Sequence, residues 1–498
     1  MTPRLLCPSC GQDISLAQGL FSCPCQGDGR EHALDVRLST ADDPALPAAI
    51  LTAWQARRDA GRAAGDDREG GDPLALFAPL SAARALAGPG RHAEAVARLQ
   101  GALLRTEGGG VRVTPLLPAA GLARSIGHDG LLMIKDETGQ VGGSHKARHL
   151  AGTMLFLEAL RSRTDGGDRP RLAISSCGNA ALAAAAVARA AAYRLQTFVP
   201  DDVSPAVARL LAERGAEVTI VPRQETGNGD PCYRAFLTAV AGGAVPFSCS
   251  GRDNWSNIDG GRTLGYETAL GWRDQGVAAD HLVIQVGGGA LARSIAEGLE
   301  LLHGIGLLAR MPRIHVCQTE GAFPFVRAWA LLLAEIATGA GLDLPLVYDR
   351  SRPPGAALAA LTAFQAGHGA CLREAAAVAA RAFDTAAVQD VIGRAAANPR
   401  AYLWPWDGES PRSLAHGILD DETYDWFSLV RSLLKTGGLA VALPETLVVR
   451  AHDLARATTS IPVSATGSSG LAGLIALKSI GAIGAGDSVG LFFTGLER

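Results

Sequence analysis

The sequence predicts an α/β protein with two open, mainly parallel twisted sheets flanked by helices, and a small cysteine-rich ribbon at the N-terminal end. Strand-like and helix-like segments alternate between residues 171 and 221, and they alternate again between 281 and 319. A strand, a helix and a further strand in succession indicate parallel strands joined by right-handed crossovers. Four cysteines lie within the first 25 residues, which suggests a separate small unit at the front of the chain.

Composition restricts the class of protein. The chain has 498 residues, 48% hydrophobic and 19% charged, which is typical of a globular protein of roughly two to four domains. A formal net charge of −3 predicts no nucleic-acid partner. The longest apolar run is interrupted by Arg189, so we expect no membrane span. The start of the chain has no targeting signal and its nine cysteines are an odd number, so a cytoplasmic location is expected.

The N-terminal cysteines have the arrangement of a metal site. Cys7 and Cys10 form a C-x2-C pair, and Cys23 and Cys25 form a C-x-C pair 12 residues later. Zinc prefers four tetrahedral ligands supplied by two such turns. We therefore predict a structural zinc ribbon over residues 1–36, in which His32 could replace one cysteine. The alternative is that the cysteines are free.

The middle of the chain has three short apolar strands and two helices between them. The first helix is alanine-rich. The second is preceded by Ser204 and Pro205, which are typical of a helix start, and is followed by Gly215. In chain order the predicted elements are strand 171–175, helix 180–194, strand 195–200, helix 207–214 and strand 217–221.

A second alternation follows. Its helix, over 291–302, has Leu291, Ile295 and Leu299 on one face. Strands are predicted on either side of it, and a last buried strand ends at Thr494. Residues 325–410 show no simple pattern and are predicted to be a helical insertion. The strands of this unit are 281–286 and 313–319.

Lys146 is one of only four lysines in the chain, and it lies in the stretch VGGSHKARHL, at the predicted start of a helix. A buried lysine amine loses its proton more easily and can act as a nucleophile. Its best-known use is the Schiff base with pyridoxal phosphate. The alternative is a surface lysine near a helix end.

Two turns between a strand and a helix are candidates for anion binding. In VGGGALA, residues 286–292, three glycines allow backbone N–H groups to converge on a phosphate. The same residues match the dinucleotide pattern G-x-G-x-x-A, with Glu320 as the acid after the next strand. SSCGNA, residues 175–180, is suited to a small carboxylate. Either turn could also be an ordinary strand–helix connection.

Six segments in this order resemble the fold type II pyridoxal-phosphate enzymes, which include threonine synthases, serine and threonine dehydratases and the tryptophan synthase β subunit. The resemblance covers about residues 112–498, and the cysteine pairs are similar to those of many threonine synthases, so the chain is threonine-synthase-like. The matching segments are Thr114 to Leu116, Lys135 to Glu137, Gly143 to Arg148, Ser176 to Ala180, Gly287 to Leu291 and Thr494 with Gly495.

The resemblance implies a role for each segment. Lys146 would form the Schiff base and then act as the base at Cα, and Thr494 would meet the pyridine nitrogen as a neutral hydroxyl, which favours elimination or replacement at Cβ. The implied cofactor-binding residues are Lys146, Asn179, Gly287, Gly288, Gly289, Ala290, Leu291 and Thr494. The implied substrate-binding residues are Ser144, Ser176, Cys177, Gly178 and Ala180.

The resemblance also implies a homodimer and a division into domains. We expect a large cofactor-binding domain over 37–145 and 250–498, and a small mobile domain over 146–249.

The activity has two main readings. Common threonine synthases have K-D-R where this chain has Lys146, Ala147 and Arg148, and VGGSHK replaces N-P-T-G-S-F-K. We therefore predict a pyridoxal-phosphate lyase that performs α,β-elimination or β-replacement on a β-substituted amino acid, or threonine synthesis from O-phosphohomoserine. O-phosphohomoserine carries a phosphate of its own, so its recognition would need a second phosphate site with cations. The candidates for these cations are Arg148, Arg262 and Arg293. Thr466, Ser468 and Ser469 are candidates to border the substrate.

Two other classes stay open at this point. If the glycine loop binds NAD(P), the protein is an oxidoreductase and Lys146 is incidental. The third reading is an inactive relative that binds amino acids without acting on them.

Overall fold

A computed structural model describes residues 4–38, 43–63, 70–164, 168–222, 230–342, 344, 348, 349, 351–408 and 411–498. Its strands form three sheets: one of three strands, one of six and one of four. All pairings in the four-stranded sheet are parallel, and in the six-stranded sheet only β4 is antiparallel to its neighbour. The predicted fold class, two mainly parallel sheets with a small N-terminal unit, is confirmed.

The N-terminal unit is a three-stranded antiparallel sheet in the order β2-β1-β3. Leu5 and Ile14 pair across it and are both buried, which gives this small unit an apolar centre. Four helices follow it. The elements are β1 (Arg4–Leu6), β2 (Asp13–Ser15), β3 (Asp35–Arg37), α1 (Leu46–Ala63), α2 (Pro73–Leu76), α3 (Ala82–Ala87) and α4 (Pro89–Glu107).

The next part of the chain contributes two strands to the large sheet and then builds the whole small sheet, in the order β8-β7-β6-β9. The α7 helix is buried over Ala181–Ala188, as an alanine-rich helix packed between layers requires. The elements are β4 (Leu116–Pro118), α5 (Ala120–Ser125), β5 (Leu132–Asp136), α6 (Lys146–Arg161), β6 (Leu172–Ser175), α7 (Asn179–Ala190), β7 (Leu195–Pro200), α8 (Pro205–Glu213), β8 (Glu217–Val221), α9 (Pro231–Ala241) and β9 (Val245–Pro246).

The rest of the chain completes the large sheet. The region expected to be a helical insertion, 325–410, contains α12 to α15. The elements are α10 (Ser256–Asp274), β10 (His281–Gln285), α11 (Ala290–Gly304), β11 (Arg313–Thr319), α12 (Pro324–Gly339), α13 (Pro354–Gly367), α14 (Gly369–Arg381), α15 (Ala386–Ala397), α16 (Trp426–Thr436), β12 (Ala440–Leu443), α17 (Glu445–Thr458), α18 (Ala465–Ser479) and β13 (Val489–Phe493).

The strand order of the large sheet brings distant segments together. The order is β12-β11-β10-β13-β5-β4, so β13 from the end of the chain lies between β10 and β5. These three neighbours run parallel, and their carboxyl ends therefore lie at one edge. The glycine loop follows β10, Thr494 follows β13 and the Lys146 segment follows β5. In open parallel sheets, ligands bind at this edge.

The α6 helix, which begins at Lys146, lies unusually close to α10. A Cβ added to Gly152 would lie 2.4 Å from Gly260 Cα, so the two helices touch backbone to backbone. This contact holds α6 at a fixed distance from the sheet. Among the described residues, no helix is both long enough and apolar enough to cross a membrane.

Candidate active site

Lys146 is the first residue of α6 and is half-buried at the edge where the three strand ends meet. Gly142 and Gly143, which precede it, have φ of 67° and 71°, a left-handed backbone that favours glycine. Ser144 then forms an isolated antiparallel bridge with Gly495. The turn and the bridge together set the position of the Lys146 backbone.

The other three lysines have partners. Lys135 Nζ lies 2.6 Å from Glu267 Oε2, Lys435 Nζ lies 3.5 Å from Glu300 Oε2, and Lys478 Nζ donates to Gly127 O over 2.8 Å. Within the described part of the chain, Lys146 Nζ makes no hydrogen bond or ion pair with a protein group. Lys146 is therefore the lysine whose amine is available for chemistry.

Two buried histidines flank Lys146 on the same helix end. Burial, with the neighbouring Lys146 charge, lowers the pKa of His145 well below its usual value and that of His149 to about 3. His145 Nδ1 donates to Thr494 O over 3.2 Å, which leaves Nε2 unprotonated. This buried nitrogen has no hydrogen-bond partner among the described residues. Both rings are thus neutral and add no positive charge next to the lysine.

The glycine loop 287–289 connects β10 to α11. Gly289 has φ 99° and ψ −17° and directly precedes the helix. The carbonyl oxygens of the two preceding glycines already accept hydrogen bonds. Thr423 Oγ1 donates to Gly287 O and Asp425 N–H donates to Gly288 O, both over 2.9 Å. The first-turn N–H groups of α11 have no acceptor within the helix. The loop therefore presents donors and a helix dipole to an anion.

The segment 418–425 covers this loop and was not predicted to belong to the site. A Cβ on Gly287 would lie 2.2 Å from Asp420 Oδ2, and one on Gly288 would lie 3.0 Å from the Tyr424 ring. Burial raises the pKa of Asp420 to about 6, although the Lys146 charge and the Gly288 N–H act in the opposite direction. An acid thus lies at the edge of the anion cradle. It has no local sequence signal, because it comes from an irregular stretch more than a hundred residues away.

The 176–180 loop connects β6 of the small sheet to α7, and Asn179 is the first residue of that helix. Arg498 donates to Asn179 Oδ1 and to Gly142 O. Because the amide oxygen accepts from Arg498, the Asn179 Nδ2 group is turned away from it, and a Cβ on Gly495 would lie 2.8 Å from that nitrogen. The loop therefore faces Thr494 and Gly495 from the side of the small sheet. Ser176, Gly178 and Ala180 are half-buried, and Cys177 is exposed.

Thr494 is 3% exposed and follows β13 directly. Gln285 Nε2 donates to Thr494 Oγ1 over 2.8 Å, and Gln285 was not among the predicted residues. Ser144, close by in the bridge to Gly495, is fully buried, and its hydroxyl has no partner among the described residues. Contacts through Gly495 and Asp420 thus bring Lys146, Thr494, Asn179 and the glycine loop close to one another.

Arg148 lies in a buried ionic cluster with Lys135, Glu137 and Glu267. Its Nε lies 2.8 Å from Glu137 Oε2 and its Nη1 lies 2.5 Å from Glu267 Oε1. Thr114 Oγ1 donates to Glu137 as well. Two cations and two anions neutralise each other, and three of the six predicted segments contribute to the cluster. These segments therefore hold the first turn of α6.

Arg262 and Arg293 are also committed to ion pairs. Both bind Glu297, with 3.0 Å from Arg262 Nε and 2.6 Å from Arg293 Nε. Arg293 Nη1 lies 3.0 Å from Asp425 Oδ1 in addition. All three arginines considered for a second phosphate site are thus buried structural residues.

The remaining candidates are placed as follows. Ser468 and Ser469 donate to the carbonyls of Ser464 and Ala465 inside α18, whereas Thr466 Oγ1 accepts from Gly417 N–H over 3.1 Å. Glu320 Oε1 accepts from Glu445 N–H over 2.8 Å, and so caps the start of α17.

The N-terminal cluster that could hold a metal consists of Cys7, Cys10, Cys23 and His32. The expected fourth ligand, Cys25, is not a member of it.

A family profile described as pyridoxal-phosphate dependent enzyme matches residues 108–374, more than half of the chain. The chain belongs to the pyridoxal-phosphate dependent enzyme family. Its cofactor is pyridoxal phosphate and its fold is type II, as predicted. The NAD(P) reading of the glycine loop is therefore wrong, in keeping with the use of Glu320 as a helix cap.

Curated relatives of this pyridoxal-phosphate dependent enzyme match over part of their length. L-serine dehydratase of Saccharomyces cerevisiae strain AWRI1631 is 29% identical over 193 residues, 38% of this chain and 55% of that protein. Threonine synthase of Synechocystis is 28% identical over 243 residues, 48% of this chain and 59% of that protein. The chain thus spans less than two thirds of the curated relatives it matches.

Solved structures of the same fold are similar over most of the chain. Diaminopropionate ammonia lyase from Escherichia coli has a TM-score of 0.53 at 14% identity, over 83% of this chain and 90% of that one. The T.th. threonine deaminase has a TM-score of 0.52 at 18% identity, over 81% of this chain and 98% of that one. At 14% and 18% identity, this similarity shows a shared fold and nothing further.

The residues of the pocket suit the cofactor. The glycine loop at the start of α11 has backbone donors that could hold its phosphate, the Lys146 amine could reach its aldehyde, and the buried Thr494 hydroxyl could face its ring nitrogen. Asn179 Nδ2, oriented by Arg498, is the donor available to its ring hydroxyl.

Proposed function

We propose that this pyridoxal-phosphate dependent enzyme is a lyase that performs α,β-elimination or β-replacement on an amino acid whose Cβ carries a hydroxyl or an O-activated group. The observation that carries the proposal is the commitment of Arg148, Arg262 and Arg293 to buried ion pairs. A substrate with its own phosphate would need cations beyond the cofactor cradle. These three are already neutralised.

Lys146 is the base in this proposal. When bound, the cofactor supplies an electron sink that makes the proton on the substrate Cα acidic. Lys146 Nζ takes that proton and the leaving group departs from Cβ with the bonding electrons. In elimination, the released enamine would take up water to give ammonia and a 2-oxo acid. In replacement, a second nucleophile would add at Cβ before the product leaves the enzyme. His145 and His149 are neutral, so they do not oppose protonation of the lysine.

The substrate carboxylate is assigned to the loop Ser176, Cys177, Gly178 and Ala180, together with Ser144. The loop precedes α7, where backbone N–H groups at a helix start favour an anion. The buried Ser144 hydroxyl has no protein partner among the described residues, which supports its use by a ligand. A carboxylate held here lies on the same side of the pocket as Asn179.

Thr494 supports elimination over aminotransfer. Its hydroxyl is neutral, and no carboxylate hydrogen-bonds to it among the described residues, so the ring nitrogen has no anion to hold a proton on it. An unprotonated ring withdraws electrons less strongly. Such a ring would stabilise negative charge at Cα less, which would favour loss of a β-leaving group over reprotonation elsewhere.

The test is a product assay with purified protein. Serine, threonine and their O-acetyl and O-phospho derivatives are incubated singly, and ammonia, 2-oxo acid and changes in the visible spectrum are recorded. We expect 2-oxo acid and ammonia from at least one β-substituted amino acid and none from the Lys146→Ala variant. The absence of any product or spectral change would overturn the proposal and favour an inactive amino-acid-binding relative.

Threonine synthesis from O-phosphohomoserine is the second candidate. The similarity to the Synechocystis threonine synthase over 243 residues favours it. Release of phosphate together with threonine from O-phosphohomoserine would decide for this reaction against elimination. The homodimer and the boundaries of the domains stay predictions from the resemblance.

A further inference from the structure

The N-terminal ribbon contains a compact set of ligand atoms. The sulfur atoms of Cys7, Cys10 and Cys23 and a ring nitrogen of His32 all lie within 4.8 Å of one another. Three of these residues are almost completely buried, with exposures of 0%, 2% and 3% for Cys7, Cys23 and His32. Buried polar atoms without water need a partner. A cation at their centre would provide it.

The distances fit a tetrahedron around zinc. Bonds of about 2.3 Å to sulfur and about 2.0 Å to nitrogen give edges of about 3.8 Å between two sulfurs and about 3.5 Å between sulfur and nitrogen. The observed distances are 3.6 Å from Cys10 Sγ to Cys23 Sγ and 3.5 Å from Cys7 Sγ to His32 Nδ1. A disulfide would require about 2.05 Å. The geometry is that of metal ligands.

His32 is oriented for this role. Its Nε2 lies 2.8 Å from Asp28 Oδ1, so the ring proton is on Nε2 and the lone pair of Nδ1 faces the three sulfurs. Histidine ligands of metals commonly donate their other nitrogen to a carboxylate in this way. Cys25 lies outside the set, which explains why the C-x-C spacing of the second pair is tolerated.

The ribbon is attached to the helix that begins at the glycine loop. Arg293, in the first turn of α11, donates through Nη2 to Leu34 O over 2.7 Å and lies 3.3 Å from Asp35 Oδ1. The same guanidinium binds Asp425, whose backbone N–H donates to Gly288 O. A short chain of contacts thus runs from β3 to the anion cradle.

Two tryptophans also hold the ribbon. Trp255 Nε1 donates to Leu20 O over 2.8 Å, and its backbone N–H donates to Phe21 O over 3.0 Å. Trp426 Nε1 donates to Glu31 Oε2 over 2.7 Å. Glu31 directly precedes His32 in sequence, and Leu20 and Phe21 lie within three residues of Cys23. Order at the cluster is therefore transmitted to these docking contacts.

We propose that Cys7, Cys10, Cys23 and His32 bind one zinc ion, and that this ion keeps the ribbon docked on Arg293 and so supports the phosphate cradle. Each cysteine gives up its thiol proton to solvent when it binds the ion. All four protein ligands are used, so the site is structural and has no open position for catalysis. The inference does not depend on which reaction the enzyme performs, because neither readout below uses turnover.

The first experiment measures metal in the full-length protein. The protein is purified in the presence of Zn²⁺ and reductant, and its metal content is measured by elemental mass spectrometry after acid digestion. We expect about one zinc ion per chain. Cys23→Ser and His32→Ala should lose it, and His32→Cys should retain it because a thiolate replaces the imidazole. Cys25→Ser is the matched control and should bind zinc normally. A metal-free wild-type protein, or equal loss from Cys25→Ser, overturns the ligand assignment.

The second experiment measures retention of the cofactor. After removal of zinc with a chelator, pyridoxal phosphate should dissociate at least several-fold faster, as followed by its visible absorption, and added Zn²⁺ should restore the original rate. The His32→Ala variant should behave like the chelated enzyme, and His32→Cys like the untreated one. An unchanged dissociation rate in both metal-free samples would overturn the link between the ribbon and the cradle.

Discussion

Gln285 Nε2 donates to Thr494 Oγ1 over 2.8 Å, and this bond determines how the threonine hydroxyl can be used. The same amide nitrogen lies 2.8 and 3.1 Å from the carbonyl oxygens of Gly467 and Phe492, so its two protons are shared among three acceptors, which together fix the orientation of the amide. Because the hydroxyl oxygen accepts from Gln285, its own proton is free to be donated toward the pocket. Gln285 is thus a positioning residue for Thr494.

The first prediction concerns this pair. Thr494→Val should weaken pyridoxal-phosphate binding by about 0.5–1.5 kcal/mol, the contribution of one hydrogen bond. Gln285→Leu should have a similar effect, although Gln285 has no assigned contact with the cofactor, because the threonine hydroxyl would turn to the freed carbonyls. Thr494→Ser keeps the hydroxyl and is the control. Equilibrium titration with the cofactor measures the effect, and wild-type binding by Gln285→Leu would contradict it.

The second prediction concerns the buried cluster of Arg148, Glu137 and Glu267. Arg148→Lys removes the forked contacts to both carboxylates, which a single ammonium cannot replace. The lysine keeps the charge but leaves buried carboxylate oxygens without a donor, which costs about 1–3 kcal/mol, so the free energy of unfolding should fall by an amount of that order. Arg194→Lys, at the exposed pair with Glu217, is the control and should change it by less than about 1 kcal/mol. Urea unfolding followed by tryptophan fluorescence provides the measurement.

The third prediction concerns Asp420 at the edge of the phosphate cradle. Its pKa, raised to about 6 by burial, means that the carboxylate is largely ionised at neutral pH and repels the cofactor phosphate. Asp420→Asn should therefore bind pyridoxal phosphate more tightly at pH 7 by up to about tenfold.

The pH dependence separates charge from shape at this position. The advantage of Asp420→Asn over the wild type should shrink as the pH falls below about 6, since the wild-type carboxyl is then neutral too. Weaker binding by the variant at every pH would show that Asp420 serves the cofactor as a partner instead.

The fourth prediction concerns two histidines at the opposite end of the large sheet. Leu439 N–H donates to His315 Nδ1 over 3.1 Å, so His315 carries its proton on Nε2 and donates to His281 Nδ1 over 2.9 Å. His281 in turn donates from Nε2 to Asp487 over 3.1 Å. Every nitrogen is used with both rings neutral. Burial is the main reason that the pKa of each ring is lowered.

The sign of the pH effect follows from these pKa values. In the unfolded chain each ring has its ordinary pKa near 6.5, whereas in the folded protein it is lower. The stabilisation is complete above pH 6.5 and is lost as the pH falls below it, by up to about 1.4 kcal/mol per pH unit for each ring. The His281→Leu variant should take up about one proton fewer on unfolding at acidic pH, so its free energy of unfolding should depend less steeply on pH. Urea titrations between neutral and acidic pH provide the measurement, and a wild-type slope in His281→Leu would contradict the prediction.

Much of the architecture followed from local patterns. Strands at 172–175, 195–200, 217–221, 281–285 and 313–319 lie within one residue of the predicted bounds. A strand that is buried on both faces is a short apolar run, and its signal is contained in five to seven consecutive residues. The glycine loop was likewise predictable, because it lies where such a strand ends and a helix begins, and Lys146 was predictable as the start of a helix after a glycine turn.

The tertiary structure alone decided which partners these groups have. Gln285 meets Thr494, Asp420 meets the glycine loop, Arg498 meets Asn179, and His32 lies with three of the four N-terminal cysteines, without Cys25. Each pair joins residues from separate elements, and the periodicity of either segment carries no information about the other. The same limit applies to Arg148, Arg262 and Arg293. The sequence does not distinguish an arginine that faces a ligand from one that faces a buried carboxylate. A charge in a low-dielectric interior must be neutralised, and only the packing of distant elements determines what neutralises it.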